Sequence, residues 1–99
     1  MIQSGRVKEL EQMFIDYSYK VRNLVFFVKS GIKVNVTSLA GLKRELVEDT
    51  TKIMATDQEY MRLLGVEESH PNYDKFITYA KLANNLLNSE LQRRIPGYR

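Results

Sequence analysis

His70 is the only histidine in the chain, and there is no cysteine. A nucleophilic serine or threonine needs a base beside it, so His70 is the one candidate for that role. It stands directly before Pro71, where a polar side chain ordinarily caps a turn or a helix. Carboxylates cluster at Glu45, Glu48 and Asp49, and again at Glu67 and Glu68. Paired acids can hold a hard cation, but helical di-metal sites need a Glu-x-x-His pattern inside each of two helices, and the one such spacing here, Glu67 to His70, stands in the turn before Pro71. Glu48 has Arg44 and Lys52 four residues to either side, the spacing of ion pairs on a solvated helix face. The five glycines, at 5, 31, 41, 65 and 97, are isolated, whereas phosphate-cradling loops need them clustered before a helix. The expectation is no catalytic residue, no metal ligand and no cofactor.

Binding chemistry is better represented. The formal net charge is +3 and unevenly spread: residues 1–33 hold six Lys/Arg against three acids, residues 34–68 four against seven, and residues 69–99 five against two. A positive first and last third could meet a polyanion while the acidic middle is kept away from it. Arg22, Lys29 and Lys33 fall on one side of a helix with Phe26 between them. Cations around an aromatic ring can track a phosphate backbone while a base stacks. Lys81, Asn85, Asn88 and Gln92 recur at spacings of 4, 3 and 4, with Asn84 adjacent. Asparagine is a poor helix former. Such a concentration implies amides that pair in an interface or meet base edges and phosphates. Arg93, Arg94 and Arg99 extend the same region, although Arg94 also stands one turn after Glu90, where the two would pair. Val25, Phe26 and Phe27, within the run Leu24–Val28, make their helix apolar all round. One seam buries one side only, so a neighbouring helix or a partner must cover the rest.

Helices must present these side chains, and the spacing supplies three. Val7, Leu10, Phe14, Tyr17, Val21, Leu24 and Val28 repeat at 3, 4, 3, 4, 3 and 4, an a/d seam that predicts a helix over about residues 3–30. Gly31 is expected to stop it. Asp16 and Lys20 stand four apart in the order that favours a pair. Thr37 or Ser38 is expected to cap a second helix over 38–64, whose apolar positions Leu39, Leu42, Leu46, Ile53 and Tyr60 are interrupted at Asp49 and Thr56. Thr56-Asp57-Gln58-Glu59 reads as a capping box, so the second helix either continues through it or breaks near 55–57 to give a fourth. Gly65 ends it. Ser69 or His70 caps the third helix, over 71–94, with Pro71 in its first turn. Its apolar face is Tyr73, Phe76, Ile77, Ala80, Ala83, Leu87 and Leu91, and Pro96-Gly97 closes it. Long helices with short connections predict one all-α antiparallel bundle over residues 1–99.

The 99 residues are 43% hydrophobic and 27% charged, proportions of an ordinary folded chain rather than a disordered one. The mixed N-terminus MIQSGRVKELEQMF has no apolar core, so no signal peptide is expected. The longest apolar run, Leu24–Val28, falls far short of the ~18 residues of a membrane helix. With no cysteine to oxidise, the expected setting is the cytoplasm, away from membranes. The first functional reading is a non-enzymatic helical interaction protein. It would self-associate or dock as a small subunit, adaptor or inhibitor in a larger assembly, by its size of viral or mobile-element type. The alternative is a small nucleic-acid-binding module that uses the basic faces of the first and last helices.

Overall fold

Leu10, Phe14, Val21 and Val25 on one helix, Leu39, Leu46 and Ile53 on a second, and Phe76, Ala80, Ala83, Leu87 and Leu91 on a third are nearly sealed from solvent and form one hydrophobic core. Each buried leucine or phenylalanine stabilises the fold by about 1.5–3 kcal/mol relative to an exposed one. The computed structural model describes residues 4–30 and 33–97. Its helices are α1 (Ser4–Lys29), α2 (Val36–Leu64) and α3 (Pro71–Arg94). Arg6 pairs with Glu59 and Lys20 with Glu45, so α2 runs antiparallel to α1. Ser18 meets Asn72, whereas Val28 shares a cavity with Glu90, so α3 runs parallel to α1. The outcome is an up-down-up three-helix bundle in which α1 and α3 approach each other most closely. The bundle measures 55 × 23 × 18 Å. Its radius of gyration of 15.7 Å exceeds the ~13 Å of a near-spherical fold this long, because the helices lie side by side along one axis.

Asn35, rather than Thr37 or Ser38, caps α2. Its side-chain oxygen accepts the Ser38 N–H at 2.7 Å from an extended backbone, and the helix opens already at Val36. The expected stop at Gly31 lies outside the described residues. Ser30 follows the last turn of α1, its N–H donating to the Phe26 carbonyl at 2.9 Å and its hydroxyl to that of Phe27 at 2.7 Å.

α2 is continuous and there is no fourth helix among the described residues. Thr56 heads no new element: its hydroxyl donates one turn back to the Lys52 carbonyl at 2.9 Å. Asp57 is 4% exposed and serves the following connection, accepting the Ser69 hydroxyl at 2.7 Å and the His70 N–H at 3.1 Å. Asp49, the other interruption of the apolar stripe, is also buried. Lys20 reaches it from α1 at 2.8 Å and meets Glu45 at 2.7 Å. That cross-helix contact replaces the expected Asp16–Lys20 pair, and Asp16 accepts instead from Gln12 at 2.8 Å. The polar breaks in the α2 stripe are therefore places where another segment, or a turn of α2 itself, supplies a partner.

Gly65 ends α2 in the left-handed region at φ 64°, with the Gly65 and Val66 N–H groups turned back to the Arg62 and Met61 carbonyls. His70 caps α3, its ring Nδ1 accepting the Asn72 N–H at 3.0 Å, and Pro71 opens the helix. The imidazole stacks on Phe14 at 4.6 Å, with Tyr60 edge-on to both rings. The sole histidine is thus occupied in packing and capping at one end of the bundle.

Candidate functional site

Val25, Phe26 and Phe27 diverge around α1. Val25 is 4% exposed and belongs to the core, so it is removed from the expected partner interface: the neighbouring helices already cover it. Phe27 is half-buried and lines the groove between α1 and α2. Phe26 is 57% exposed, and the Arg22 guanidinium, one turn earlier, sits 5.4 Å from its ring centroid. That contact is cation–π in geometry and holds the ring and the charge together at the surface.

Next to Phe26 lies a groove of about 350 Å³ between α1 and α3, lined by Ile15, Ser18, Tyr19, Arg22, Asn72, Lys75 and Tyr79. Its rims are Ile15, Tyr19 and Arg22 on α1 and Lys75 and Tyr79 on α3, and each belongs to a helical row that continues past the groove. On α1, Ile15, Tyr19, Arg22, Phe26 and Lys29 follow at spacings of 4, 3, 4 and 3, one position beyond the core seam. On α3, Lys75, Tyr79, Leu82 and Leu86 follow at 4, 3 and 4. Tyr19 is 58% exposed and Leu82 is also exposed. The charges in these rows are Arg22, Lys29 and Lys75; one turn beyond their ends stand Glu11 on α1 and Glu90 on α3, the latter paired with Arg93. The face therefore mixes aromatic and aliphatic side chains with cations along both rows, over a floor where the Ser18 hydroxyl donates to the Asn72 carbonyl at 3.0 Å.

No family model, curated protein or solved structure matches this chain.

The remaining expected binding residues divide between two faces. Lys33, Arg93 and Arg94 line a cavity at the end of the bundle with Phe27 and Val28. Within it Arg94 is engaged inside the molecule: it pairs with Glu90 at 3.3 Å and donates to the Val34 carbonyl. Its guanidinium thus ties the α1–α2 connection to the end of α3. Arg93 is exposed and pairs with Glu90 at 2.6 Å. Together Arg93 and then Arg94 hold the Glu90 carboxyl below the usual carboxylate range. The amide stripe points elsewhere. Lys81 lies in the α2–α3 groove with Val47, Thr50 and Asn84. Asn85 and Gln92 are exposed, and Asn88 is half-buried with its Oδ1 lacking a hydrogen-bond partner. Arg99 lies outside the described residues. Lys81, Asn85, Asn88 and Gln92 therefore do not share a face with Arg22, Phe26 and Lys29.

Sequence reasoning singled out Arg22, Phe26 and Lys29 but passed over Tyr19, Lys75, Tyr79 and Leu82. The signal was present as a second heptad row beside the core seam, visible only once α1 and α3 are known to be parallel neighbours. Among the described residues, no group of three or more His, Asp or Glu side chains is placed to hold a metal ion. Among the same residues, no helix is long and apolar enough to cross a membrane.

Proposed function

We propose that this chain is a non-enzymatic helical interaction protein that docks through the α1–α3 face. The observation that carries the reading is Phe26, exposed beside Arg22 in a row of apolar and cationic residues that the fold itself leaves uncovered. Large exposed aromatics rimmed by polar residues mark protein interfaces, and aromatic residues with arginine dominate their energetics. A role as a small subunit, adaptor or inhibitor follows from that surface together with the chain's size. The cysteine-free composition supports a cytoplasmic setting for it.

A second reading has an observation of its own. Tyr19, Phe26 and Tyr79 alternate with Arg22, Lys29 and Lys75 across the same face, and single-stranded nucleic acids are held by such alternation of stacking rings and cations. One experiment tests the docking surface and separates the two readings. A photo-crosslinking phenylalanine is placed at Phe26 or, as a control on α2, at Lys52, in cells that make the protein. Adducts at the first site and none at the second are expected. Loss of the adducts on nuclease treatment would favour nucleic acid. Adducts at neither site, or equally at both, would overturn the α1–α3 face as the docking surface.

A further inference from the structure

We propose that the groove between α1 and α3 receives an acidic amphipathic helix from another protein, lying antiparallel to both and completing a four-helix bundle. The inference rests on the α1–α3 face being the docking surface, and the fold supplies its template. A parallel helix pair has two grooves, one on each side. α2 fills one of them, running antiparallel to α1 and α3. It does so with an apolar stripe at helical spacing and with acids at its edge: Glu59 meets Arg6 at 2.5 Å, while Glu45 and Asp49 meet Lys20. The opposite groove is bounded by the same two helices, with Ser18 and Asn72 on its floor and Arg22 and Lys75 on its rims. The rows through those rims carry apolar side chains at spacings of three and four, with Arg22, Lys29 and Lys75 as the charges. A helix with acids beside its apolar stripe, as α2 has, matches those cations in sign.

The row on α1 runs from the groove at Ile15 on to Lys29, roughly 21 Å at about 1.5 Å per residue, so an occupant that follows it is a helix of about four turns or more. A second copy of this chain fits poorly. A two-fold contact pairs a patch with its own copy, and here it would set a face whose charges from Ile15 to Lys29 and from Lys75 to Leu86 are all cations against another such face. A nucleic acid would use the cations and the rings, but Ile15, Leu82 and Leu86 neither stack on bases nor donate to phosphates. Their heptad spacing matches a helix.

The test uses the full chain and a fluorescent designed peptide of roughly 21 residues, with leucine at the heptad a and d positions and glutamate beside them. Its twin carries lysine in place of every glutamate. The glutamate peptide should bind and gain helicity, about ten-fold or more tighter than the twin, and should weaken several-fold between about 50 and about 200 mM salt. Phe26→Glu should weaken it about ten-fold with the melting temperature unchanged. Lys75→Glu, an exposed change on the α3 rim of the groove, should weaken the glutamate peptide and strengthen the lysine twin, a reversal that general unfolding cannot produce. Equal binding of the two peptides, or no binding of either, overturns the proposal. So does a chain that binds an oligouridylate through Phe26 while ignoring the glutamate peptide, or a dimer that Phe26→Glu dissociates. In the last two cases crosslinks at Phe26 would persist, so the docking surface would stand and only its occupant would change.

Discussion

The Asp57 carboxylate, inside α2, accepts the backbone N–H of His70 at 3.1 Å. Its other oxygen accepts the Ser69 hydroxyl at 2.7 Å, so one buried side chain fixes the whole approach to α3. His70 in turn caps α3 and stacks on Phe14, which transmits the position of Asp57 to α1. Asp57→Ala leaves a buried N–H and a hydroxyl without their acceptor. It should cost about 2 kcal/mol in a urea titration, the range for hydrogen bonds to a charged group. A loss below about 0.5 kcal/mol would mean that water replaces the carboxylate at no cost, and that the tether does not order the connection.

Two phenylalanines on α1 should respond in opposite ways. Phe14 is fully buried against Tyr60 and His70. Phe14→Ala should cost about 3–5 kcal/mol. Phe26→Ala should change stability by no more than about 0.5 kcal/mol, as for an exposed residue. A large loss at Phe26 would make it a core residue and end its candidacy as a docking anchor.

Gly65 isolates a backbone effect. A Cβ there would meet no atom within 4 Å, yet the residue sits at φ 64°. Gly65→Ala should therefore cost about 1–2 kcal/mol through left-handed strain alone. An unchanged melting temperature would show that α2 can end without this turn.

Stability should fall at both extremes of pH. The Arg6 guanidinium holds Glu59 below the usual carboxylate range, and Arg93 with Arg94 does the same for Glu90. A carboxyl depressed in the folded state contributes fully above its unfolded value, about 4.3, and loses that contribution as pH falls through the folded one. Asp49 first, and Glu45 second, raise Lys20, and burial raises Tyr73. Those contributions are present below the ordinary lysine and tyrosine values of about 10 and are lost as pH rises beyond them. Thermal melts should thus be level near neutrality and decline below about pH 4.5. Glu59→Gln should make the acid decline shallower, and superimposable curves would assign the pair no role.

The helices were legible because their core positions keep strict periodicity: Leu10, Phe14 and Val21 on α1, and Phe76, Ala80, Ala83, Leu87 and Leu91 on α3, stand where the a/d pattern puts them. The continuity of α2 was not legible. A buried Asp or Thr looks the same in sequence as an exposed one until its partner is known, and the partners of Asp49 and Asp57 come from α1 and from the α2–α3 connection. The face around Phe26 was half legible for a related reason. Its α1 row is periodic in itself, but Lys75 and Tyr79 join it only through the parallel pairing of α1 with α3. The amides of α3 and the arginines beyond them belong to one stretch of sequence and to different sides of the molecule, since neighbouring helical residues diverge by about 100°.

The first helix and the last approach each other most closely, and Ser18 and Asn72, which meet between them, are 54 residues apart. Most contacts of a helical bundle form between neighbours in sequence and reward the chain early in folding. Here the chain must close a loop whose entropic cost is about 3.5 kcal/mol before a constant, with only the looser α1–α2 and α2–α3 contacts to offset it on the way. Folding should accordingly be slower than in bundles of equal length held by sequential hairpins, with Phe14 and Phe76 acting late. During synthesis α1 and α2 leave the ribosome with the apolar side of α1 still open, and the bundle closes only when α3 arrives. In the interval Phe14 and its neighbours in the core row of α1 stay exposed to water.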